Sequence, residues 1–512
     1  MDMIIYPHNA LDQLNFSQLL DEISELAIGI PAKSAIEKIK PTTSLQMVES
    51  SLKRIHFFYA QMQADRYIQL VQYGIPEDLH RCLEIEGYVL SKAAFLSVRN
   101  MLENTIEINK YFDLSQQDDE VVSVPFNAIP DLSAFYKSLV DVMDEVGNIK
   151  PTASEALLSI SKKIQRKQSE ISTVFEKFAK QYRNEGLLSE IGESYRNGRR
   201  VLALPAENKR RISGIIHGES ESGKTVFIEP QGVTEVNNAL FQLELDKQKE
   251  EYKILQSLSA GLSAVGYDMI NAADILVDFD THYAKAAYGW KRKFEIPRFD
   301  PEKSIYLSQA FHPHLESHLR EEGKDVVKND IILHGKNRLL LLSGPNAGGK
   351  SVLLKTVAFN QLLFQCGLTV PAEGDSRFRF YKKMALDMGD NQSIEDDLST
   401  YSSHLTHMRE MLTMADEETL ILIDEFGTGT DPRVGGALAE SILHQFVKRG
   451  VTAVITTHYS NLKSYAHKMR GIVNGSMSFD MEQLSPTFLV QIGKPGSSFA
   501  LKLPNEWGCR MM

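Results

Sequence analysis

The phosphate-binding pattern G-x-x-x-x-G-K-[ST] occurs twice in this chain, at residues 218–225 and again at residues 344–351. Such a loop holds phosphate only where it follows a strand and opens a helix, because its backbone N–H groups and the helix N-terminus then converge. The second copy meets this requirement, since an apolar run at 339–343 precedes it and apolar residues at helical spacing follow it. It predicts a nucleotide site in an α/β domain, with the loop residues Gly344, Pro345, Asn346, Ala347, Gly348, Gly349, Lys350 and Ser351.

The first copy of the pattern is not followed by a helix. Residues 211–217 before it and 225–229 after it both have the β-branched and apolar character of strands, and Pro230 ends the second. Two strands joined by a polar, glycine-containing loop predict a β-hairpin. We therefore expect Lys224, unlike Lys350, to take no part in nucleotide binding.

A second motif completes the predicted nucleotide site. The apolar strand expected at 419–423 ends in Asp424 and Glu425. Asp424 and the hydroxyl of Ser351 are suited to hold Mg²⁺, while Lys350 is suited to neutralise the β- and γ-phosphates of ATP. Glu425 is placed to deprotonate the attacking water. The alternative is a strand that ends in two solvated acids, which the phosphate loop upstream makes the weaker interpretation.

A histidine follows the next apolar strand, which is expected at 451–455. Because His458 would lie at a strand end beside the nucleotide, it can sense the γ-phosphate. It is therefore a candidate catalytic residue, together with Glu425 and Lys350. A purely structural histidine is the alternative.

The composition limits the kinds of protein this chain can be. It has 512 residues, 43% of them hydrophobic, and no run of 18 apolar residues, so we expect several domains and no membrane span. The N-terminus does not resemble a secretory signal. Cys82, Cys366 and Cys509 are too far apart in sequence to suggest a metal site or a disulfide framework, and a reducing cytoplasm is the expected setting. A net charge of −11 argues against nucleic-acid binding over the whole surface, but it is compatible with a local basic patch.

The first half of the chain is predicted to be largely helical. Residues 1 to about 150 have helical periodicity, a long helix opens at Pro151, and a second long helix spans about 234–262. At the start of the first long helix, Thr152 and Glu155 fit a capping box.

Two other regions have the character of β-structure. Short alternating segments with glycines between 190 and 230 predict a small β element at the tip of the two long helices. From about residue 294 onward, strands alternate with helices, which indicates a parallel α/β sheet. The predicted fold class is thus α plus α/β, in several domains.

Four stretches of this sequence resemble the MutS ATPases, which belong to the ABC class of P-loop proteins. They are GPNAGGKS at 344–351, ILIDEFGTGTDP at 421–432, TTHY at 456–459, and the segment 390–401. The bacterial MutS-two branch is the most similar, because three further stretches also match it. These are RNGR at 196–199, FIEP at 227–230 and IGKPGSS at 492–498. The resemblance covers nearly the whole chain, to about residue 501.

This resemblance implies an enzyme that uses ATP and Mg²⁺ and acts as a homodimer. Each phosphate loop would be completed by Ser399 and Thr400 of the other subunit, although a helix N-cap is the alternative role for these two residues. The implied order is a helical core with a first lever arm, a β clamp tip, a second lever arm with core helices, an ABC-type α/β ATPase domain and a tail. Their expected boundaries are 1–187, 188–232, 233–293, 294–503 and 504–512.

The expected clamp tip is strongly basic in an otherwise acidic chain. Its six cationic residues, against the single acid Glu207 between 196 and 211, are Arg196, Arg199, Arg200, Lys209, Arg210 and Arg211. Such clusters contact phosphates independently of sequence, so these residues are the candidate nucleic-acid site. A solvated charge cluster is the alternative.

The resemblance further implies a DNA-binding ATPase that clamps branched or structured DNA and limits recombination. Stalled or collided ribosomes are the alternative target, and Glu425 disfavours a scaffold that does not hydrolyse ATP. The sequence departs from the MutS-two pattern after residue 501, where members of that branch continue towards a small MutS-related (Smr) nuclease domain. We therefore expect a short form without that domain and without intrinsic nuclease activity. A natural end, a fragment and a frameshift all remain open explanations.

Overall fold

The computed structural model describes residues 2–115, 129–196, 198–345, 348–388, 400–427, 432–480, 482–483 and 485–494. Within these ranges the chain forms fifteen α-helices and fifteen β-strands. The helices are α1 (Ala10–Gln13), α2 (Phe16–Ser24), α3 (Ile30–Glu37), α4 (Leu45–Gln63), α5 (Leu79–Glu84), α6 (Lys92–Ser115), α7 (Ser133–Val142), α8 (Glu155–Asn184), α9 (Gln231–Ala264), α10 (Gly266–Arg292), α11 (Pro313–Glu321), α12 (Lys350–Gln365), α13 (Thr400–Met414), α14 (Pro432–Lys448) and α15 (Ser460–Lys468). The strands are β1 (Ile4–Tyr6), β2 (Glu193–Arg196), β3 (Arg199–Pro205), β4 (Gly214–Glu219), β5 (Thr225–Pro230), β6 (Arg298–Phe299), β7 (Tyr306–Ala310), β8 (Asn329–Ile332), β9 (Leu339–Ser343), β10 (Arg377–Phe378), β11 (Lys383–Asp387), β12 (Thr419–Ile423), β13 (Thr452–Thr456), β14 (Ile472–Asp480) and β15 (Ser485–Ile492).

The chain divides into two compact units. One consists of residues 1–70, 110–128 and 275–512, and the other of residues 71–109 and 129–274. The five domain boundaries expected from the sequence remain predictions. No helix in the described part of the chain combines the length and the apolar character needed to cross a membrane.

The first unit contains a seven-stranded sheet with the order β1-β11-β12-β13-β9-β14-β15. All its neighbouring strands run parallel except β14 and β15, so the parallel α/β sheet expected from the sequence is confirmed. Every residue of β9, β12 and β13 is buried, which explains why these strands are almost continuously apolar. The carboxyl ends of parallel strands lie at one edge of the sheet. This topology therefore gathers the residues that follow β9, β12 and β13.

Strand β1 is a part of this sheet that sequence analysis missed. Ile4 pairs in parallel with Lys383, and its N–H donates to the carbonyl oxygen of Lys382 at 2.9 Å. The mostly helical character expected for the first 150 residues is confirmed in the described part of the chain, and β1 is a short addition to it. A strand of three residues is too short to show a period, and only its distant partner defines it.

The second unit contains a four-stranded antiparallel sheet with the order β2-β3-β5-β4, which the long helices α8 and α9 flank in sequence. The hairpin predicted for the first phosphate-loop pattern is confirmed, because β4 and β5 pair antiparallel with Ile216 opposite Ile228. One face of the sheet packs on α8, where Phe175 is fully buried among residues of β3 and β5.

The start of α8 differs from the prediction. Its N-cap is Ser154, whose Oγ accepts the N–H of Leu157 at 3.0 Å, while Thr152 lies in a 3₁₀ turn over Pro151–Ala153. The capping box predicted from Thr152 was therefore wrong by two residues. Ser154 Oγ also lies 3.0 Å from Glu250 of α9, a contact between distant segments that no local pattern reveals.

Candidate nucleotide-binding site and candidate nucleic-acid interface

The second phosphate-loop pattern joins β9 to α12, as the sequence predicts. Helix α12 begins at Lys350, and its N-cap is Gly349, whose φ of 89° lies in the left-handed region. A Cβ atom at Gly349 would also approach Cδ1 of Phe488 to 3.1 Å, so conformation and space both favour glycine. The N–H groups at this helix start suit a phosphate group. Asn346 and Ala347, predicted for the same loop, lie outside the described residues.

Lys350 is the buried cation of this site. It is only 2% exposed, and its Nζ donates to the carbonyl oxygens of Gly344 at 2.6 Å and Pro345 at 3.1 Å. Burial lowers the pKa of Lys350, while the charges of Asp424 and Glu425 act in the opposite direction. The lysine therefore stabilises the phosphate loop through hydrogen bonds and also interacts electrostatically with Asp424 and Glu425.

A threonine hydroxyl links the two acids that follow β12. Thr456 Oγ1 donates to Asp424 Oδ1 at 2.5 Å and accepts the N–H of Glu425 at 2.8 Å. Glu425 has a φ of 51°, a strained conformation that is concentrated at functional sites. Sequence analysis did not single out Thr456, although its place at the end of β13 was a usable signal.

His458 lies close to both catalytic candidates. Its Nε2 is 3.5 Å from Lys350 Nζ and 3.8 Å from Glu425 Oε1. Burial, together with the charge of Lys350, lowers the pKa of His458, so its imidazole is neutral at pH 7. A neutral imidazole can donate one hydrogen bond and accept another. The fold thus brings Lys350, Glu425 and His458 together from three separate segments.

The oxygen donors predicted to hold Mg²⁺ lie on two separate elements of the same unit, helix α12 and the segment after strand β12. Ser351 is exposed in the first turn of α12, and the half-buried Asp424 follows β12. Mg²⁺ keeps several water ligands and takes one or two protein oxygens together with phosphate, so this pair of donors fits it. Among the described residues, no group of three or more His, Cys, Asp or Glu side chains could form a metal cage by itself.

Asp387 is another acid at the same edge of the sheet. It is 5% exposed, its carbonyl oxygen accepts the N–H of Asp424 at 2.8 Å, and its Oδ1 lies 3.3 Å from His407 Nδ1. Sequence analysis missed it, yet a signal existed. Asp387 is the last residue of the apolar strand β11, and Asp424 directly follows the neighbouring strand β12.

A cavity of about 550 Å³ opens beside the phosphate loop. Its lining includes Ser351, His312 and the ring of Phe488. Phe488 has a φ of 58°, and Asn329 holds this strained residue in place, because its side chain donates to Phe488 O at 3.1 Å and accepts the N–H of Val490 at 2.8 Å. The size of the cavity is typical of small-ligand sites.

Three residues of this cavity, His312, Asn329 and Phe488, were not predicted. Burial and the neighbouring charges of His314 and Lys355 lower the pKa of His312 to about 4, so its ring offers hydrogen bonds without a charge. His312, Asn329 and Phe488 share no local motif. Only the folded chain brings them to one place.

At the basic tip of the second unit, Arg199 is tied to a buried carboxylate. Its Nη1 lies 2.9 Å from Glu229, which is fully buried and also bonds to His217 at 2.7 Å and Asn237 at 2.6 Å. Burial alone would raise the pKa of Glu229, but the hydrogen bonds from Asn237, His217 and Arg199 lower it, so the carboxylate stays ionised. The charge of Arg199 is therefore balanced inside the tip.

Arg200 is also neutralised locally. It pairs with Glu176 at 2.6 Å and with Glu193 at 2.7 Å, and its guanidinium lies 4.2 Å from the centre of the Phe175 ring. Glu207 is the only acid within the segment 196–211 itself. These other acids were missed because strand pairing and helix packing bring them in from outside the segment 196–211.

The other four basic residues of the tip are more accessible. Arg196 is exposed above the ring of Phe227, 4.3 Å from its centre, and Lys209 makes one distant ion pair at 3.9 Å. Arg210 and Arg211 are exposed, and neither forms an ion pair within the described part of the chain. These four side chains are the ones whose charge is available at the surface.

Comparison with known proteins adds an independent finding. Residues 340–504, which include the phosphate loop, both acids and His458, match the family model for MutS domain V. The predicted nucleotide-site residues therefore lie in a region that is similar to MutS domain V. The chain is also similar to proteins named Endonuclease MutS2. It is 32% identical over 499 residues to the one from Lactococcus lactis subsp. lactis (strain IL1403), and 33% identical over 516 residues to the one from Lactiplantibacillus plantarum (strain ATCC BAA-793 / NCIMB 8826 / WCFS1).

The same similarity extends to the Endonuclease MutS2 of Halothermothrix orenii, with 32% identity over 515 residues. These matches cover 97–98% of this chain, but the chain spans only 63% of the length of each relative. They support the MutS2 branch that the motifs resemble. The word endonuclease in the name describes those longer proteins.

Proposed function

We propose that this chain is a MutS-like DNA-binding ATPase that clamps branched or structured DNA in an ATP-dependent way and thereby limits recombination. The observation that carries the proposal is the meeting of Lys350, Glu425 and His458 beside the phosphate loop. Similarity to MutS2 relatives over 97% of the chain supports it.

In the proposed complex, the triphosphate of ATP lies along the loop from Gly344 to Ser351, and the base enters the cavity beside Phe488. Lys350 neutralises oxygens of the β- and γ-phosphates. Ser351 and Asp424 would hold Mg²⁺, which supplies further neutralisation of the phosphate charge when it is bound. The neutral His312 and the apolar lining of the cavity suit a flat, uncharged base.

Hydrolysis requires a base for the attacking water. In the proposed reaction Glu425 accepts a proton from that water as its oxygen bonds to the γ-phosphorus. The bond from the γ-phosphorus to the bridging oxygen breaks, and ADP leaves with both electrons of that bond. His458 and Lys350 donate hydrogen bonds to the γ-phosphate oxygens, where negative charge accumulates.

We further propose that two copies of the chain form a homodimer across the nucleotide. In this arrangement Ser399 and Thr400 of one copy complete the site of the other. Ser399 lies outside the described residues, and Thr400 is the first residue of α13. The proposal for this pair rests on the MutS resemblance of the segment 390–401.

The proposed DNA contact is made by the accessible cations of the tip, namely Arg196, Lys209, Arg210 and Arg211. Contacts of this kind attract phosphates and do not read bases. They suit a clamp that recognises the shape of DNA, and ATP binding would control its closure.

This function is tested by measuring the dissociation of the protein from a four-way DNA junction in ATP, in ADP and without nucleotide. We expect ATP to slow dissociation, and to do so more on the junction than on a linear duplex of the same composition. Equal dissociation in ATP and ADP would overturn the clamp. Co-sedimentation with ribosomes, without junction binding, would instead favour the translation alternative.

A further inference from the structure

The two segments that follow β12 and β13 are joined by hydrogen bonds at successive residues. Phe426 N–H donates to the carbonyl oxygen of Thr456 at 2.8 Å, and Thr457 Oγ1 donates to the carbonyl oxygen of Phe426 at 3.3 Å. Tyr459 Oη then donates to the carbonyl oxygen of Gly427 at 2.6 Å. These three bonds lie after Glu425, and the bond from Thr456 Oγ1 to Asp424 lies before it, so the segment that carries His458 holds the chain on both sides of the acid.

The contact between Tyr459 and Gly427 is especially close. Gly427 has a φ of 90°, and a Cβ atom there would come within 2.6 Å of Cε2 in the ring of Tyr459. Any side chain at Gly427 would thus displace the tyrosine ring. Tyr459 itself is held at the start of α15, where its N–H donates to Thr457 Oγ1 at 3.2 Å.

These hydrogen bonds stabilise the backbone conformation of Glu425. Its φ of 51° lies in the left-handed region, and such a conformation persists only where its surroundings enforce it. Thr456 fixes the N–H of Glu425 on one side, and Tyr459 fixes Gly427 two residues further on. The direction of the carboxylate depends on both anchors.

We infer that Tyr459 is a positioning residue for ATP hydrolysis: through Gly427, its hydroxyl keeps the carboxylate of Glu425 aimed at the attacking water. The inference rests on the proposed ATPase function. It adds a physical link between the phosphate sensor and the base, because His458 lies directly before Tyr459. A shift of His458 towards or away from phosphate would also move Tyr459, and with it the hydrogen bond to Gly427 that positions Glu425.

The test is Tyr459→Phe, which removes the hydroxyl and keeps the ring. We expect kcat for ATP to fall about tenfold, since small misplacements of a catalytic group are costly. KM and the affinity for a non-hydrolysable ATP analogue should stay within about twofold, because Tyr459 lies outside the phosphate loop. The removal of one hydrogen bond should lower the melting temperature by only a few degrees.

Tyr465→Phe is the matched control, because it is the same substitution within α15, the helix that Tyr459 precedes as N-cap. The hydroxyl of Tyr465 lies 3.2 Å from His444 Nδ1 at an exposed site. We expect kcat to be unchanged in this variant. If Tyr459→Phe retained full kcat, or lowered the apparent kcat only in proportion to a loss of folded protein, the inference would be overturned.

A double variant separates this inference from the proposed function. In a Glu425→Gln background, Tyr459→Phe should reduce the residual hydrolysis no further, since the group it positions has gone. If the two substitutions instead lowered the rate of ATP hydrolysis independently, so that their effects multiplied in the double variant, this inference would be overturned and the proposed function would not. Full turnover by Glu425→Gln itself would instead overturn the proposed role of Glu425.

Discussion

Lys350 Nζ lies 3.5 Å from His458 Nε2, so two potentially cationic groups share one small space. Burial lowers the pKa of both, and the charge of Lys350 lowers that of His458 further. Because its pKa is lowered, the imidazole of His458 is neutral at pH 7. An anion bound here would stabilise the protonated forms of both groups, which favours phosphate as the ligand.

The first prediction compares the two copies of the phosphate-loop pattern. Lys350→Ala should weaken ATP binding by roughly 10- to 100-fold, because hydrogen bonds to charged groups contribute about 1.5–3 kcal/mol. Lys224→Ala should leave the affinity nearly intact, since Lys224 lies between β4 and β5 of the hairpin. Fluorescent ATP analogues can measure both. Loss of binding on changing Lys224 alone would contradict the assignment.

The second prediction concerns the base. Glu425→Gln keeps the size of the side chain but cannot accept the proton, so hydrolysis should fall by about 10² or more with ATP still bound. If the homodimer forms across the nucleotide, this variant should accumulate as an ATP-bound dimer. Single-turnover kinetics and light scattering measure the two effects. Unchanged turnover would remove Glu425 from its proposed role.

The third prediction concerns the tip. Replacing Lys209, Arg210 and Arg211 with Ala should weaken binding to all DNA sequences about equally. The slope of log affinity against log salt should shrink by up to about 0.9 for each DNA phosphate that these cations neutralise. ATP hydrolysis without DNA should not change, because none of the three residues belongs to the unit that contains the phosphate loop.

A matched control for the tip is the triple replacement of Lys162, Lys163 and Arg166 with Ala. These three exposed residues lie on α8, and their removal changes the net charge by the same amount. We expect the salt slope on branched DNA to stay unchanged in this control. The same slope in both triple variants would favour a tip whose charges serve only solvation.

The fourth prediction concerns pH and a buried lysine far from the phosphate loop in sequence. Lys285 on α10 is 7% exposed, its Nζ donates to Ser51 Oγ at 3.3 Å, and burial lowers its pKa to about 8. Between pH 8 and pH 10.5 the unfolded chain binds the extra proton. The free energy of unfolding should therefore rise with pH across this window, by on the order of 3 kcal/mol.

Lys285→Met should remove this rise, as measured by thermal or urea unfolding at several pH values within the window. Lys382→Met is a suitable control. Lys382 is exposed and forms a surface ion pair with Glu418 at 2.8 Å, so its replacement should leave the slope as it was. Equal slopes in the two variants would show that Lys285 is not the group responsible.

Much of the α/β sheet could be predicted because buried parallel strands have a simple signature. The strands expected at 339–343 and 419–423 have those bounds in the structure, and the strand expected at 451–455 is displaced by one residue. That Lys350, Glu425 and His458 meet follows from the same rule, since parallel strands end at one edge.

The features that sequence analysis missed depend on contacts between distant segments. The strain at Phe488 is held by Asn329, and the buried Glu229 is shared by Arg199, His217 and Asn237. Nothing in the residues next to any of these partners indicates the pairing. Local patterns predict secondary-structure elements and the ends of strands, but they do not predict which charged side chains neutralise one another.

The short strand β1 has a consequence for how the chain is made. It is translated long before β11, its partner, which begins at Lys383. At about 5–20 residues per second, roughly 380 residues of synthesis separate the two, or on the order of 20 s to more than a minute. During that interval the N–H of Ile4 has no strand to pair with, so the backbone of β1 stays hydrated until the seven-stranded sheet assembles.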